Sequence, residues 1–127
     1  MTRQIFILIF SIGLVIFGGI FECKYLENSC NFVLADIDYT ENSLNNNNFE
    51  MAKNHIEELE NSWYNVKDAW NIFVQNDLID QIDDSLVELK AYVNTENKEE
   101  GIVYANKLRA NLKDIVDRQK INFENVF

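Results

Sequence analysis

Few side chains in this 127-residue chain could do chemistry. They are one histidine (His55), two cysteines (Cys23 and Cys30), two tryptophans (Trp63 and Trp70), and an acidic stretch, NDLIDQIDDSLVELK. Each set points to a different chemistry. A di-iron site in a helical bundle takes Glu-x-x-His on inward-facing positions, but Ala52 stands three residues before His55. Haem attachment needs Cys-x-x-Cys-His, and zinc needs clustered cysteine or histidine; neither pattern is present. No metal or cofactor is therefore expected, and His55, off the apolar periodicity, reads as a surface histidine.

Cys23 and Cys30 are seven residues apart, about 10 Å along a helix, beyond the roughly 7 Å that a disulfide spans. Cys30 reads as a small buried hydrophobe. Cys23 is open to acylation or to a bridge between two copies in a homo-oligomer. A cysteine nucleophile would need His55 beside it and an oxyanion hole. A glycine-poor helical chain has few free backbone N–H groups with which to build one. The expectation is that the protein is not an enzyme.

Asp77, Asp80, Asp84 and Glu88 recur at three and four residues and so share one helix face. Like charges at that spacing repel by about 0.2–0.5 kcal/mol each. Calcium would relieve the repulsion only with six or more oxygens from a folded loop. A basic partner surface would relieve it directly, and a plainly solvated face is the simplest reading. These four residues are the candidate interaction face. Trp63 and Trp70 are either core or the lining of a small-ligand slot between helices; their periodicity favours core, with each indole N–H reaching a partner or the bundle edge.

The positioning elements follow from spacing. Ile5 to Phe21 is a 17-residue run without a charge, about 25 Å as a helix and at the short end of the spanning range. It is longer than an ordinary signal-peptide core. Glu22 before Cys23 argues against a lipoprotein signal. Residues 1–21 are expected to form an uncleaved signal anchor with one membrane span. Arg3 and the amino terminus on the cytoplasmic side place residues 22–127 outside the cell membrane.

Beyond the anchor, apolar residues step by three and four in four runs: Cys23, Leu26, Cys30, Val33, Ile37, Thr40 and Leu44; Phe49, Ala52, Ile56, Leu59, Trp63, Val66, Trp70 and Phe73; Ile79, Ile82, Leu86, Leu89 and Val93; Ala105, Leu108, Leu112 and Ile115. That alternation is a coiled-coil-like seam. Asn48 and Asn76 are expected to cap the second and third helices, and Asn97 with Glu100 fits a capping box before the fourth. The fold class is all-α: an antiparallel bundle of about four helices on a single N-terminal transmembrane helix, with no break between anchor and first bundle helix. The closing INFENVF loses the seam and is expected to fold back over the bundle through Phe123 and Phe127. The net charge is −10, with every acidic residue at or after Glu22; such a surface repels nucleic acid and anionic lipid head groups.

This layout includes the Trp63/Trp70 pair, the stretch DLIDQIDDSLVELKAYV and the ending ANLKDIVDRQKINFENVF. It resembles a family of short membrane-anchored helical proteins of unknown function from clostridia and related spore-forming bacteria. The resemblance implies a single helical domain with no assigned activity or cofactor, associated with multi-pass membrane proteins. It marks Trp63, Trp70, Asp80, Asp83 and Asp84 as its recognisable positions and carries over no catalytic residue. The expected role is a non-enzymatic accessory or assembly partner of another membrane protein. The alternative is a sensor-type bundle with a slot beside Trp63 and Trp70.

Overall fold

With neither a proline nor a glycine inside any predicted bundle helix except Gly101, nothing interrupts the backbone ladder. The computed structural model, which describes residues 1–126, has four helices and, among those residues, no strand. Helix α1 runs Thr2–Asn45, α2 Phe49–Phe73, α3 Asn76–Asn94 and α4 Lys98–Val126. They form an up-down-up-down bundle in which α1 packs on α2 and α4, and α3 packs on the same two. α1 is one unbroken helix of 44 residues, about 66 Å long. Its first half stands clear of the bundle: Ile5, Phe6, Phe10, Leu14 and Phe17 are all exposed. This is the one helix among the described residues long and apolar enough to cross a membrane. From Leu26 onward α1 enters the core.

The seams are the core. Leu26, Cys30, Val33, Ile37, Thr40 and Leu44 of α1 are buried, as are Ala52, Ile56, Leu59, Trp63 and Trp70 of α2. So are all five residues of the third run and all four of the fourth. Phe49, Val66 and Phe73 pack against this core while partly exposed. Cys23 is only half-buried, because the bundle gives way to the bare anchor there. Gly101 admits the side chain of Leu44: a Cβ there would lie 2.9 Å from Leu44 Cδ1.

The far end of the bundle consists of two turns with one design. At the end of α1 the Asn48 N–H donates to the Ser43 carbonyl and the Asn47 N–H to that of Leu44. At the end of α3 the Asn97 N–H donates to Tyr92 and the Glu96 N–H to Val93. Both are Schellman closures, which require a left-handed residue; Asn47 (φ 56°) and Glu96 (φ 58°) supply it without glycine. Each closing asparagine then caps the next helix. Asn48 Oδ1 accepts from the Met51 N–H at 3.2 Å, and Asn97 Oδ1 from that of Glu100 at 3.3 Å. The Asn97 N–H is engaged by Tyr92, which leaves no donor for the return half of the predicted capping box.

Two expectations need correction. Asn76 does not cap α3; it is the first helical residue, and the extended Gln75 precedes it without a side-chain cap. INFENVF does not fold back: α4 stays helical through Val126 because nothing in the segment breaks a helix. Phe123 packs on Gly19 of the anchor rather than on the bundle core, and Phe127 lies outside the described residues.

Left-handed backbone costs an ordinary residue about 1–2 kcal/mol, whereas asparagine tolerates it. The exposed Lys53–Glu96 pair (3.2 Å) offsets little of this. Glu96→Gly should therefore raise stability by about 0.5–1 kcal/mol in denaturant titrations followed by circular dichroism, and Asn47→Gly by less.

Candidate functional site

The two tryptophans lie two turns apart on the buried face of α2, so their rings meet. They pack edge to face, with ring centroids 5.5 Å apart at an interplanar angle of 85°. Trp63 is 1 % exposed and Trp70 is fully buried. A buried indole N–H needs an acceptor, and each ring finds one on a different neighbour. Trp70 Nε1 donates to Ser29 Oγ of α1 at 2.8 Å, and Trp63 Nε1 to Asp83 Oδ1 of α3 at 2.7 Å. Ser29 in turn donates to the Tyr25 carbonyl at 2.7 Å. The rings occupy the core and fill the space between them.

Asp83 was singled out in sequence only by the resemblance. It flanks the α3 seam, one residue beyond Ile82, and is partly buried. Besides Trp63 it takes Lys67 Nζ at 2.7 Å on Oδ2, and this hydrogen bond raises the Lys67 pKa. One carboxylate thus holds two α2 side chains, one neutral and one charged. Lys90–Glu60 (2.7 Å) adds a second tie between α2 and α3. Asp84, the next residue, points the other way.

The other four acidic positions of α3 share the outer face. Asp77, Asp80, Asp84 and Glu88 are all exposed. Among the described residues, none of the ion pairs uses any of them. Asp84 and Glu88 also line a shallow cleft of about 260 Å³ between α3 and α4, with Tyr104, Lys107 and Asn111 opposite. Lys107 Nζ lies 5.3 Å over the Tyr104 ring, and Asn111 Nδ2 donates to the buried Ser85 Oγ at 3.3 Å.

His55 differs from expectation. It is half-buried and stacks on Tyr39 of α1, with centroids 5.3 Å apart. Its Nδ1 lies 3.5 Å from Glu58 Oε2 but makes no hydrogen bond. Both cysteines are free thiols. Burial pushes the Cys30 thiol up to about 11, so it stays protonated and unreactive at neutral pH. Among the described residues, no group of three or more histidine, cysteine or acidic side chains is placed to hold a metal ion.

Adjacent aspartates with opposite surroundings give a direct test. Asp83→Ala leaves a buried indole N–H without an acceptor and Lys67 without its partner, and should cost about 1–3 kcal/mol in chemical denaturation. Asp84→Ala should stay within about 0.5 kcal/mol of the parent.

No curated protein and no solved structure gives a match. A family model described as a domain of unknown function, DUF4363, matches residues 20–126, which is all of the bundle and the last residues of the apolar run. With most of its length matched, the chain belongs to the DUF4363 family.

Proposed function

We propose that this protein is a non-enzymatic, membrane-anchored accessory subunit. Its bundle presents the outer face of α3 to a basic surface of another membrane protein on the extracytoplasmic side. The observation that carries the reading is the contrast within the acidic residues. Asp83, Glu60, Asp38, Glu41 and Glu27 sit in ion pairs between helices, whereas Asp77, Asp80, Asp84 and Glu88 form an exposed row about 16 Å long. A row that repels itself gains from a cationic partner. The apolar half of α1 supports the membrane address, and Arg3 ahead of it supports the orientation.

The reading separates function from stability. Asp80→Lys with Asp84→Lys turns the 77/80 and 84/88 spacings attractive and leaves 80/84 repulsive, so the bundle should be as stable as the parent or more so by a few tenths of a kcal/mol. The same variant should lose a multi-pass protein that co-purifies stoichiometrically with the tagged parent in mild detergent. The parent complex should weaken as salt rises. Retention of the partner by a folded double variant would remove the acidic face from the account. Purification of the parent alone, or only with copies of itself, would remove the accessory role.

A further inference from the structure

α4 is longer than the bundle requires. It has 29 residues against 19 in α3, and among the described side chains its last buried ones are Ile115 and Val116. Beyond them it continues down the side of α1. Cys23 Sγ lies 4.0 Å from the Gln119 carbonyl oxygen. One turn further, the Phe123 ring covers Gly19 so closely that a Cβ there would lie 2.3 Å from Phe123 Cε2. The pairings 23 with 119 and 19 with 123 define one antiparallel register, which continues to bring Val126 level with Ile16. The exposure of α1 agrees: of its first twenty residues only Ile16 and Gly19 are partly covered.

The end of α4 therefore runs beside the apolar segment for about five residues, roughly 7–8 Å. The bilayer cannot sink to avoid it. The whole run Ile5 to Phe21 is about 25 Å long, already short of a hydrocarbon core of about 30 Å. Ending the span at Ile16 would leave about 18 Å. Nor does α4 stand off, because the Phe123 ring reaches to where a Cβ at position 19 would lie.

We infer that the last described turn of α4, residues 122–126, is a second membrane-contacting element, held in the headgroup and upper acyl layer by Phe123 seated on Gly19. The inference rests on the reading of the apolar run as a membrane span. The side chains suit that depth. Phe21 and Ile121 are 62 % and 54 % exposed beside this end of the bundle, and exposed apolar side chains of this kind bury at the headgroup and acyl boundary. Asn122, Glu124 and Asn125, all exposed, suit the hydrated headgroup layer. Lys120, paired to Glu27 at 3.2 Å, and the exposed Arg118 stand above it, within reach of lipid phosphates. Lipid is the fitting occupant because this surface is continuous with the bare apolar flank of α1.

The test uses the full chain with Cys23→Ser and Cys30→Ala, carrying one new cysteine labelled with an environment-sensitive fluorophore. The sites are N125C at the end of α4, V15C in the anchor and N106C in the distal half of α4. Each protein is reconstituted in phosphatidylcholine vesicles containing a lipid with a nitroxide near the headgroup end of its acyl chain. N125C should show blue-shifted emission and a loss of fluorescence comparable to V15C, while N106C keeps its intensity. N125C behaving like N106C while V15C is quenched would overturn this inference and leave the membrane span standing. An unquenched V15C would overturn both. Gly19→Leu closes the seat; with helicity unchanged, it should shift N125C toward the N106C result. Quenching of N125C that is indifferent to Gly19→Leu would refute Phe123 on Gly19 as what holds the turn.

Discussion

The contact between Trp63 and Trp70 sets the geometry of the bundle. Two large rings on one helix meet at right angles, and each directs its single donor to a different neighbour, Ser29 on α1 and Asp83 on α3. α2 is thereby fixed to both helices it touches from inside the core, where direction as well as contact is specified. Aliphatic seams alone tolerate rotation and sliding of one helix against the next. Two oriented hydrogen bonds at different heights do not. The ion pairs Lys67–Asp83 and Lys90–Glu60 extend the same register along the α2–α3 boundary, and Arg109 with Asp38 and Glu41 secures α4 to α1 on the opposite side.

The acidic character of the chain thus divides into two populations with different tasks. Carboxylates beside the seams are consumed in joining helices. Those on the outer face of α3 enter no ion pair among the described residues and leave the bundle with a strongly one-signed flank. The sharpest instance is the dipeptide Asp83-Asp84: a rotation of one residue along the helix turns a core acceptor into a surface charge.

Most of the fold was legible in the sequence, because a three-four apolar period is a direct image of a helix that buries one face. The runs through α1, α3 and α4 map onto buried residues almost without exception, and the tryptophans fall on the seam where their spacing placed them. What the period could not reveal was pairing between helices. Ser29 and Asp83 flank the seams and look like ordinary polar residues until the partner helix is in place. The left-handed Glu96 carried no glycine to announce it, and Asn76 missed the cap by one position, within the usual slack of a helix boundary. The end of α4 was misread for a related reason. Its seam stops at Ile115, yet the helix goes on, held against α1 by Phe123 on Gly19, Gln119 beside Cys23 and Lys120 with Glu27.

The unbroken course of α1 has a mechanical consequence. From Glu22 to Asn45 the helix projects about 36 Å, and no proline, glycine or turn separates that part from the apolar half. On the proposed reading, in which lipid grips the lower half, α1 is a lever. A tilt of about 10°, well inside the range that transmembrane helices adopt, carries the far corners of the bundle sideways by about 6 Å. On that reading the thickness of the surrounding bilayer sets the lateral position of the α1–α2 and α3–α4 turns, and every face of the bundle moves with it as one body.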